Sequence, residues 1–176
     1  DPSTVTVKVN GGNAAPAVMN GNSFSLSITP VYGMNTIEVT ATDLAGNTAA
    51  AKRTVTFDDR NPSLSVTDPP QDVKTNQAAI TIKGETSDLT AVTVTLTMDG
   101  NIYTPAVADG KFQQPVTFTA EKTYTIYVKA VDEVGNETMV QRNVVYDITP
   151  PAVTIDPVTS PTNKNSQTVT GTVEAG

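Results

Sequence analysis

The chain has 176 residues, a formal net charge of −7, and neither cysteine nor histidine, which excludes disulfide bonds, Ser-His and Cys-His nucleophiles and the usual zinc ligands. The negative charge argues against nucleic acid as a partner, because its phosphates would repel the chain. Membrane insertion is not expected either, because no apolar run approaches the ~20 residues that a membrane span needs. Only 16% of residues are charged, and no window shows helical apolar periodicity, so we expect an all-β protein.

The first predicted elements lie in residues 1–60. An alternating run at residues 4–10 ends at an Asn-Gly turn, and a second Asn-Gly turn follows at residues 20–21. Asn-Gly between extended runs is a strong hairpin signal. Residues 35–58, NTIEVTATDLAGNTAAAKRTVTFD, then predict two long strands joined by a tight turn. We expect about five strands in this part of the chain.

The long hairpin is repeated later in the chain. Residues 124–147, YTIYVKAVDEVGNETMVQRNVVYD, match residues 35–58 with the turn in register, which gives an internal period of 124 − 35 = 89 residues. The run at residues 92–99 likewise repeats residues 4–10. A repeat of this length that contains several strands indicates tandem domains.

The repeat divides the chain into three parts. Residues 61–149 contain a counterpart of every element in residues 1–60 and two further strands before them, seven in all, with the turn spacing of an immunoglobulin-like sandwich. Residues 150–176 repeat only those two further strands. We therefore predict an immunoglobulin-like unit lacking its first two strands at 1–60, a complete seven-stranded unit at 61–149, and the first two strands of a further unit at 150–176.

The alternation of apolar residues predicts which side chains form the core of the complete unit. They are Leu64, Val66, Ile80, Ile82, Val94, Leu96, Val116, Phe118, Ile126, Val128 and Val144.

Two motifs carry a resemblance to a known family. ATDLAGNTA at residues 41–49 and AVDEVGNET at residues 130–138, each followed downstream by an aromatic-Asp pair and a proline, resemble tandem bacterial immunoglobulin-like repeats. Such repeats occur in surface proteins and adhesins, and as accessory domains beside secreted glycoside hydrolases. The resemblance spans the chain and implies immunoglobulin-like or fibronectin-III-like β-sandwiches arranged head to tail, neighbouring repeats as partners, an extracellular or cell-surface location, and a non-catalytic spacer or adhesive role.

Acidic residues are predicted to gather where two units meet. Seven strands bring the chain into a unit at one end and out at the other, so a linker and the turns of the following unit share a junction. Calcium takes six to eight oxygen ligands, which carboxylates and amide oxygens provide. The resemblance also favours calcium between domains. We predict a calcium site at this junction built from Asp58, Asp59, Glu85, Asp88, Asp132, Glu133 and Asn136.

A second interpretation of these acids stays open. Asp132 and its counterpart Asp43 are also suited to accepting N–H groups of their own turns, with the linker acids simply solvated. Asp132 and Glu133 do not suggest acid-base catalysis, because adjacent strand-end side chains point apart. We therefore expect no enzyme activity.

Two tyrosines support an alternative function. Tyr103 and Tyr127 are expected to face outward from their strands, where aromatic rings can stack on sugars. This would suit an accessory carbohydrate-binding module of a secreted glycoside hydrolase. Packing across a sheet face is the other interpretation of these rings.

The incomplete first unit leads to a prediction about assembly. Without two strands, one inner sheet face lies uncovered beside an open edge, which is a template for strand addition. We predict that residues 150–176 of one molecule complete residues 1–60 of another. The alternative is that the first unit folds with five strands and the tail packs weakly.

Overall fold

The computed structural model describes residues 4–175 and contains only β-strands, turns and irregular segments over that range, which confirms the all-β prediction. Over the same residues, no helix is long and apolar enough to span a membrane. The strands form two successive units and a C-terminal pair, and the sheets of each unit are described in turn below.

The first unit has six strands. Four form an antiparallel sheet in the order β2-β1-β5-β6, while β3 and β4 form a separate hairpin. The long pair β5 and β6 are matched over ten residues each. The bounds are β1 (Thr4–Val9), β2 (Ala15–Pro16), β3 (Val18–Asn20), β4 (Ser23–Ser25), β5 (Gly33–Thr42) and β6 (Thr48–Phe57).

The second unit forms a sandwich of two sheets, with strand orders β12-β9-β7 and β11-β10-β13-β14-β8. Inward-facing side chains of the two sheets form one core. The strands are β7 (Ser63–Asp68), β8 (Val73–Thr75), β9 (Ala79–Ser87), β10 (Thr93–Met98), β11 (Asn101–Tyr103), β12 (Lys111–Thr117), β13 (Lys122–Val131) and β14 (Glu137–Tyr146).

The second unit has eight strands rather than the expected seven, because its first strand is divided between the sheets. β7 pairs antiparallel with β9 in one sheet, whereas β8 pairs parallel with β14 in the other. Pro69 and Pro70 lie between β7 and β8 and have no backbone N–H to donate, so they interrupt the ladder where the chain changes sheet.

The short hairpins follow the predicted turn chemistry. At Asn10-Gly11 both residues have positive φ, 53° and 70°, and at Asp99-Gly100 the angles are 49° and 78°. Two consecutive positive φ angles are the mark of a type I′ turn, which Asn or Asp followed by Gly adopts at low cost. These turns join β1 to the segment leading to β2, and β10 to β11.

The core of the second unit agrees closely with the prediction. Nine of the eleven predicted residues are buried, and the other two, Leu64 and Ile80, are half-buried against the same cluster. The core also includes five residues that the prediction omitted: Met98, Phe112, Tyr124, Ala130 and Tyr146. Tyr124 and Tyr146 lie on the inward parity of their strands, so the alternation contained the signal for them.

The first unit is far more open. Val55 corresponds to Val144 in the 89-residue repeat, yet Val55 is 40% exposed and Val144 is fully buried. Ile37 is only half-buried, whereas its counterpart Ile126 is completely buried. In the second unit β7 and β9 cover the equivalent face, and the described residues 4–57 of the first unit contain no counterpart of these two strands.

The C-terminal segment forms one short antiparallel pair, β15 (Val153–Ile155) and β16 (Gly171–Val173). Every described residue from 150 to 175 is exposed. A two-stranded ribbon with all its apolar side chains in solvent is at best marginally stable by itself.

Candidate metal centre between the units

The turn between β13 and β14 is organised by one carboxylate. Oδ1 of Asp132 accepts hydrogen bonds from the backbone N–H groups of Val134, Gly135 and Asn136 at 2.9, 2.7 and 2.8 Å. The Asn136 side chain donates to Asp132 Oδ2 at 2.8 Å. The turn role considered for Asp132 is therefore present in the structure, and it saturates one of the two carboxylate oxygens.

These hydrogen bonds set the charge state of Asp132. Burial of the carboxyl group opposes ionisation, but the hydrogen bonds from the Asn136 side chain and from the turn backbone outweigh it and lower the pKa of Asp132 below its ordinary value. Asp132 is thus a buried carboxylate that carries its charge at neutral pH.

The linker between the units is held against this turn. Asn136 Nδ2 donates to the carbonyl oxygen of Asp58 at 3.4 Å, and Thr138 Oγ1 donates to the carbonyl oxygen of Pro62 at 2.6 Å. Asp58 is only 8% exposed. The second unit therefore fixes both ends of the segment from Asp58 to Pro62.

The first unit contacts the same linker from the other side. The Arg60 guanidinium carbon lies 3.7 Å from the ring centroid of Tyr32, in the geometry of a cation–π contact. At the positions 89 residues later, Glu121 accepts a hydrogen bond from Thr149 Oγ1 at 2.9 Å. Both linkers are thus tied to the unit that precedes them, through different chemistry at equivalent positions, and sequence reasoning missed both contacts.

Three carboxylates converge at the junction. Asp58 from the linker, Asp88 from the loop after β9, and Asp132 from the turn each place a carboxylate oxygen within 4.8 Å of the other two. Asp58 follows the last strand of the first unit, whereas Asp88 and Asp132 belong to the second unit. The cluster therefore spans the junction.

One oxygen of this cluster has no hydrogen-bond partner. Asp58 Oδ1 accepts the backbone N–H of Arg60 at 3.2 Å, but Asp58 Oδ2 is buried and unpaired. A buried carboxylate oxygen without a donor is costly, and here it stands near two further carboxylates. A cation between the three acids would satisfy all of them, with Asp132 contributing the oxygen that its turn leaves less occupied.

The remaining predicted ligands lie outside this cluster. Asp59 and Glu133 are exposed, and Glu85 is exposed on β9 beside the Lys111 ammonium, 3.7 Å away. Asn136 is adjacent to the cluster but turns its amide N–H groups towards Asp132 and Asp58. The structure thus brings together three of the seven predicted residues, with a fourth holding them in place.

The two tyrosines do not share a surface. Tyr103 lies opposite Leu96 in the β10–β11 ladder and packs partly buried against the core, so the outward orientation expected for it is wrong. The three-residue strand β11 follows a two-residue turn that sets its register, and this parity was misjudged from sequence. Tyr127 is 41% exposed, as expected.

The chain was compared with known proteins and structures. No curated protein matches it. Structures that resemble it include fibronectin(III)-like modules of Clostridium thermocellum CbhA, with 16% identity, a TM-score of 0.46, and coverage of 81% of this chain and 77% of that one. A tetra-tandem repeat in the extending region of a large adhesion protein has 24% identity, a TM-score of 0.42, and coverage of 97% and 48%.

A Ca²⁺-stabilised adhesin by which an Antarctic bacterium binds ice has 22% identity, a TM-score of 0.35, and coverage of 90% of this chain and 44% of that chain. The chain therefore spans less than half of either adhesion protein. The family described as glucodextranase, domain B, matches residues 1–59 and again residues 62–148, which agrees with the tandem arrangement. Because these matches cover most of the sequence, the chain belongs to the family of glucodextranase domain B.

Proposed function

We propose that this chain is a non-catalytic, extracellular spacer segment whose junction between units is stiffened by calcium. The observation that carries the proposal is the buried, unpaired Oδ2 of Asp58, which belongs to a carboxylate that converges with those of Asp88 and Asp132 at the junction. A linker of solvated acids would not bury a carboxylate oxygen away from every donor.

Calcium is the cation that fits these groups. All three converging side chains offer carboxylate oxygens, and the chain has no histidine or cysteine to supply an imidazole or thiolate ligand. Hard cations prefer such ligands, and calcium tolerates irregular geometry and completes its shell with carbonyl oxygens and water. Three carboxylates held this closely repel one another, so the cation would remove a force that pushes the linker away from the second unit.

The expected gain in stability is small. Extracellular modules bind calcium with a Kd of roughly 10⁻⁴ to 10⁻³ M, so about 1 mM calcium adds only ~0.4 to 1.4 kcal/mol. Such a gain would not be needed to fold either unit. It is enough to favour one linker conformation over others, which is the property that a spacer requires.

The proposal is tested by comparing Asp58→Asn with Asp59→Asn. Both variants remove one linker charge, but only Asp58 is buried in the cluster. We expect calorimetric titration of the unmodified chain and of Asp59→Asn to show calcium binding in the range above, and small-angle scattering to show a narrower distribution of lengths with calcium than with EDTA. Asp58→Asn should lose both responses.

The stiffness of the junction in Asp58→Asn without calcium also distinguishes a metal site from an acidic cluster that binds no ion. In EDTA, Asp58→Asn should stiffen the junction, because it removes an uncompensated buried charge while keeping the shape of the side chain. Equal calcium responses in the two variants, or no response in the unmodified chain at 10 mM calcium, would refute the calcium junction. A calcium concentration of 10 mM is about ten times the weakest expected Kd.

The carbohydrate-binding alternative gains less support. Family membership is compatible with a place beside a glycoside hydrolase. However, the packing of Tyr103 against the core leaves Tyr127 without the second ring that the prediction paired with it. We therefore propose that a parent hydrolase would use this segment for spacing rather than for gripping its substrate.

A further inference from the structure

The linker between the two units leaves the first unit beside an aromatic ring whose position is fixed. In the ladder between β5 and β6, the last residue of β6 lies opposite Gly33, so the chain enters the linker next to Tyr32. The residues on both sides of Tyr32 are anchored, because the buried Asn35 side chain donates to the carbonyl oxygens of Val31 and Gly33 at 2.7 and 2.8 Å. The first unit therefore determines where the Tyr32 ring lies.

A short turn directs an arginine of the linker onto this ring. Asp58 Oδ1 accepts the backbone N–H of Arg60 at 3.2 Å, which closes a turn of the Asx type. The guanidinium carbon of Arg60 lies 3.7 Å from the centroid of the Tyr32 ring. A planar guanidinium at this distance is held to an aromatic ring by its charge and by stacking. The contact attaches the linker to the first unit.

The linker after the second unit repeats this arrangement with different groups. The backbone N–H of Thr149 donates to Asp147 Oδ1 at 3.0 Å in the same kind of turn, and Thr149 Oγ1 donates to the Glu121 carboxylate at 2.9 Å. These residues occupy the repeat positions of Arg60 and Tyr32, since 149 − 60 = 89 and 121 − 32 = 89. Two unrelated kinds of contact at the same place indicate that attachment of the linker to the preceding unit is itself a feature of the repeat.

The second unit holds the other side of the first linker. Asn136 and Thr138 donate to the carbonyl oxygens of Asp58 and Pro62, and the Asp58 carboxylate converges with two acids of the second unit. These contacts join the linker to the second unit, whereas Arg60 joins it to the first. The two attachments are therefore in series, and the angle between the units is fixed only when both of them hold.

We propose that the Arg60–Tyr32 contact sets the orientation of the first unit on the linker, and that calcium at the acid cluster strengthens only the other attachment. The part that concerns calcium rests on the proposed function, but the role of the Arg60–Tyr32 contact does not. An ion bound at the acid cluster would hold the linker to the second unit, yet the first unit would still swing if the ring were removed. The stiffness of the junction and its affinity for calcium are therefore separable.

The test measures the distances between the two units in the full chain. Because the chain has no cysteine, spin labels can be attached through Lys8→Cys on β1 and Gln113→Cys on β12, both at exposed positions. Pulsed dipolar spectroscopy then gives the distribution of distances between the labels. In EDTA, Tyr32→Leu should broaden this distribution because the ring face is lost, whereas Tyr32→Phe should preserve it because the ring face remains.

Added calcium distinguishes the two attachments. It should narrow the distribution in the labelled chain without further changes, whereas Tyr32→Leu should stay broad although calorimetric titration gives the same calcium affinity. Arg60→Gln should behave as Tyr32→Leu does, and the double variant should be no broader than either single one, because all three lack the same contact. Arg60 is exposed in the linker, outside both sheets, so its substitution should leave both units folded.

The control Arg53→Gln removes one positive charge from an exposed position on β6 and should leave the distribution unchanged. Unaltered distributions in EDTA for Tyr32→Leu and Arg60→Gln would overturn the proposal, as would equal broadening in Tyr32→Phe and Tyr32→Leu. A weaker calcium affinity in Tyr32→Leu would also overturn it, because the ring would then support the ion site. A lack of calcium binding in every chain would refute the calcium junction alone, since the comparison in EDTA would still decide the role of the Arg60–Tyr32 contact.

Discussion

The two immunoglobulin-like units have related sequences and the same long hairpin, yet only the second has a closed core. The β5–β6 and β13–β14 pairs are each matched over ten residues, with Asn35 opposite Val55 and Tyr124 opposite Val144. Val144 is nevertheless fully buried and Val55 is not. The hairpin is therefore specified locally by alternation and turn, whereas burial of its inner face depends on strands outside the hairpin.

The turns of the two hairpins agree as closely as the strands. Asp43 accepts hydrogen bonds from the backbone and side-chain nitrogens of Asn47, both at 2.9 Å, as Asp132 does from Asn136. Only the second of these turns faces a linker from a preceding unit in the described structure. The same turn is thus structural in both units and becomes part of a candidate metal centre in one.

The largest expected effect comes from truncating matched core residues. Ile126→Ala should lower the free energy of unfolding of the second unit by about 2–5 kcal/mol, because it opens a cavity in a packed core. Ile37→Ala should cost much less in dilute solution, since Ile37 is only half-buried. Chemical denaturation followed by hydrogen exchange of each unit would measure both. Equal losses for the two variants in dilute solution would contradict the open first core that distinguishes the units.

A smaller effect is expected from the residue that begins each long hairpin. The Tyr124 hydroxyl accepts the N–H of Thr119 at 2.9 Å and donates to the carbonyl of Ala120 at 3.1 Å. Tyr124→Phe should lower the melting temperature of the second unit by roughly 5 °C, because those backbone groups lose a buried partner. The measurement is thermal unfolding by circular dichroism.

The first unit uses an asparagine for the same task. Asn35, fully buried, accepts the N–H of Val31 at 2.9 Å and donates to its carbonyl at 2.7 Å. Asn35→Leu should therefore loosen the first unit as Tyr124→Phe loosens the second, with faster hydrogen exchange around residues 31–36. Unchanged exchange in Asn35→Leu would show that the open unit does not rely on this anchor.

The smallest expected effect is a dependence on acidic pH shared by both turns. For Asp132, burial opposes the charge, but hydrogen bonds within the turn lower the pKa; for Asp43, the Asn47 side chain is the main cause of the lowered pKa. A lowered folded-state pKa stabilises the protein above the ordinary value of about 3.9, and this stability is lost as pH falls through the folded-state pKa. Melting temperatures between about pH 5 and pH 2 should therefore decline by a few degrees from these groups.

The matched variants Asp43→Asn and Asp132→Asn test that explanation. Each should flatten the pH profile of its own unit in EDTA, because the titrating carboxyl group has been removed. Profiles parallel to that of the unmodified chain would assign the acid sensitivity to other groups. A flattened profile in both units would confirm that the turns act locally, whatever the state of the core around them.

The sequence was most informative where structure depends on near neighbours. Alternation placed Ile126, Val128 and Val144 in the core, and the Asn-Gly and Asp-Gly turns at residues 10–11 and 99–100 were recognised from turn chemistry. The 89-residue repeat also identified the elements that residues 1–60 share with the second unit. These features need only local backbone preferences and a period of two.

Long-range placement was harder to predict. The junction was expected to collect acids, but which of them converge depends on how the linker lies on the second unit, and this is fixed by hydrogen bonds from Asn136 and Thr138 to linker carbonyls. Tyr103 was placed on the wrong face because a three-residue strand takes its register from its partner. The two linker contacts join residues 78 and 76 positions apart, so no local sequence pattern predicts them.

The parallel pairing of β8 with β14 has a mechanical consequence. Along the chain, β8 is the first strand of this sheet and β14 is the last strand of the unit. They pair at Val73–Val144, Lys74–Val145 and Thr75–Tyr146. Tension between the two linkers of the second unit would pull these neighbours past each other, so their hydrogen bonds would be sheared together instead of unzipped singly. The second unit would gain resistance to tension from that geometry without any increase in its equilibrium stability.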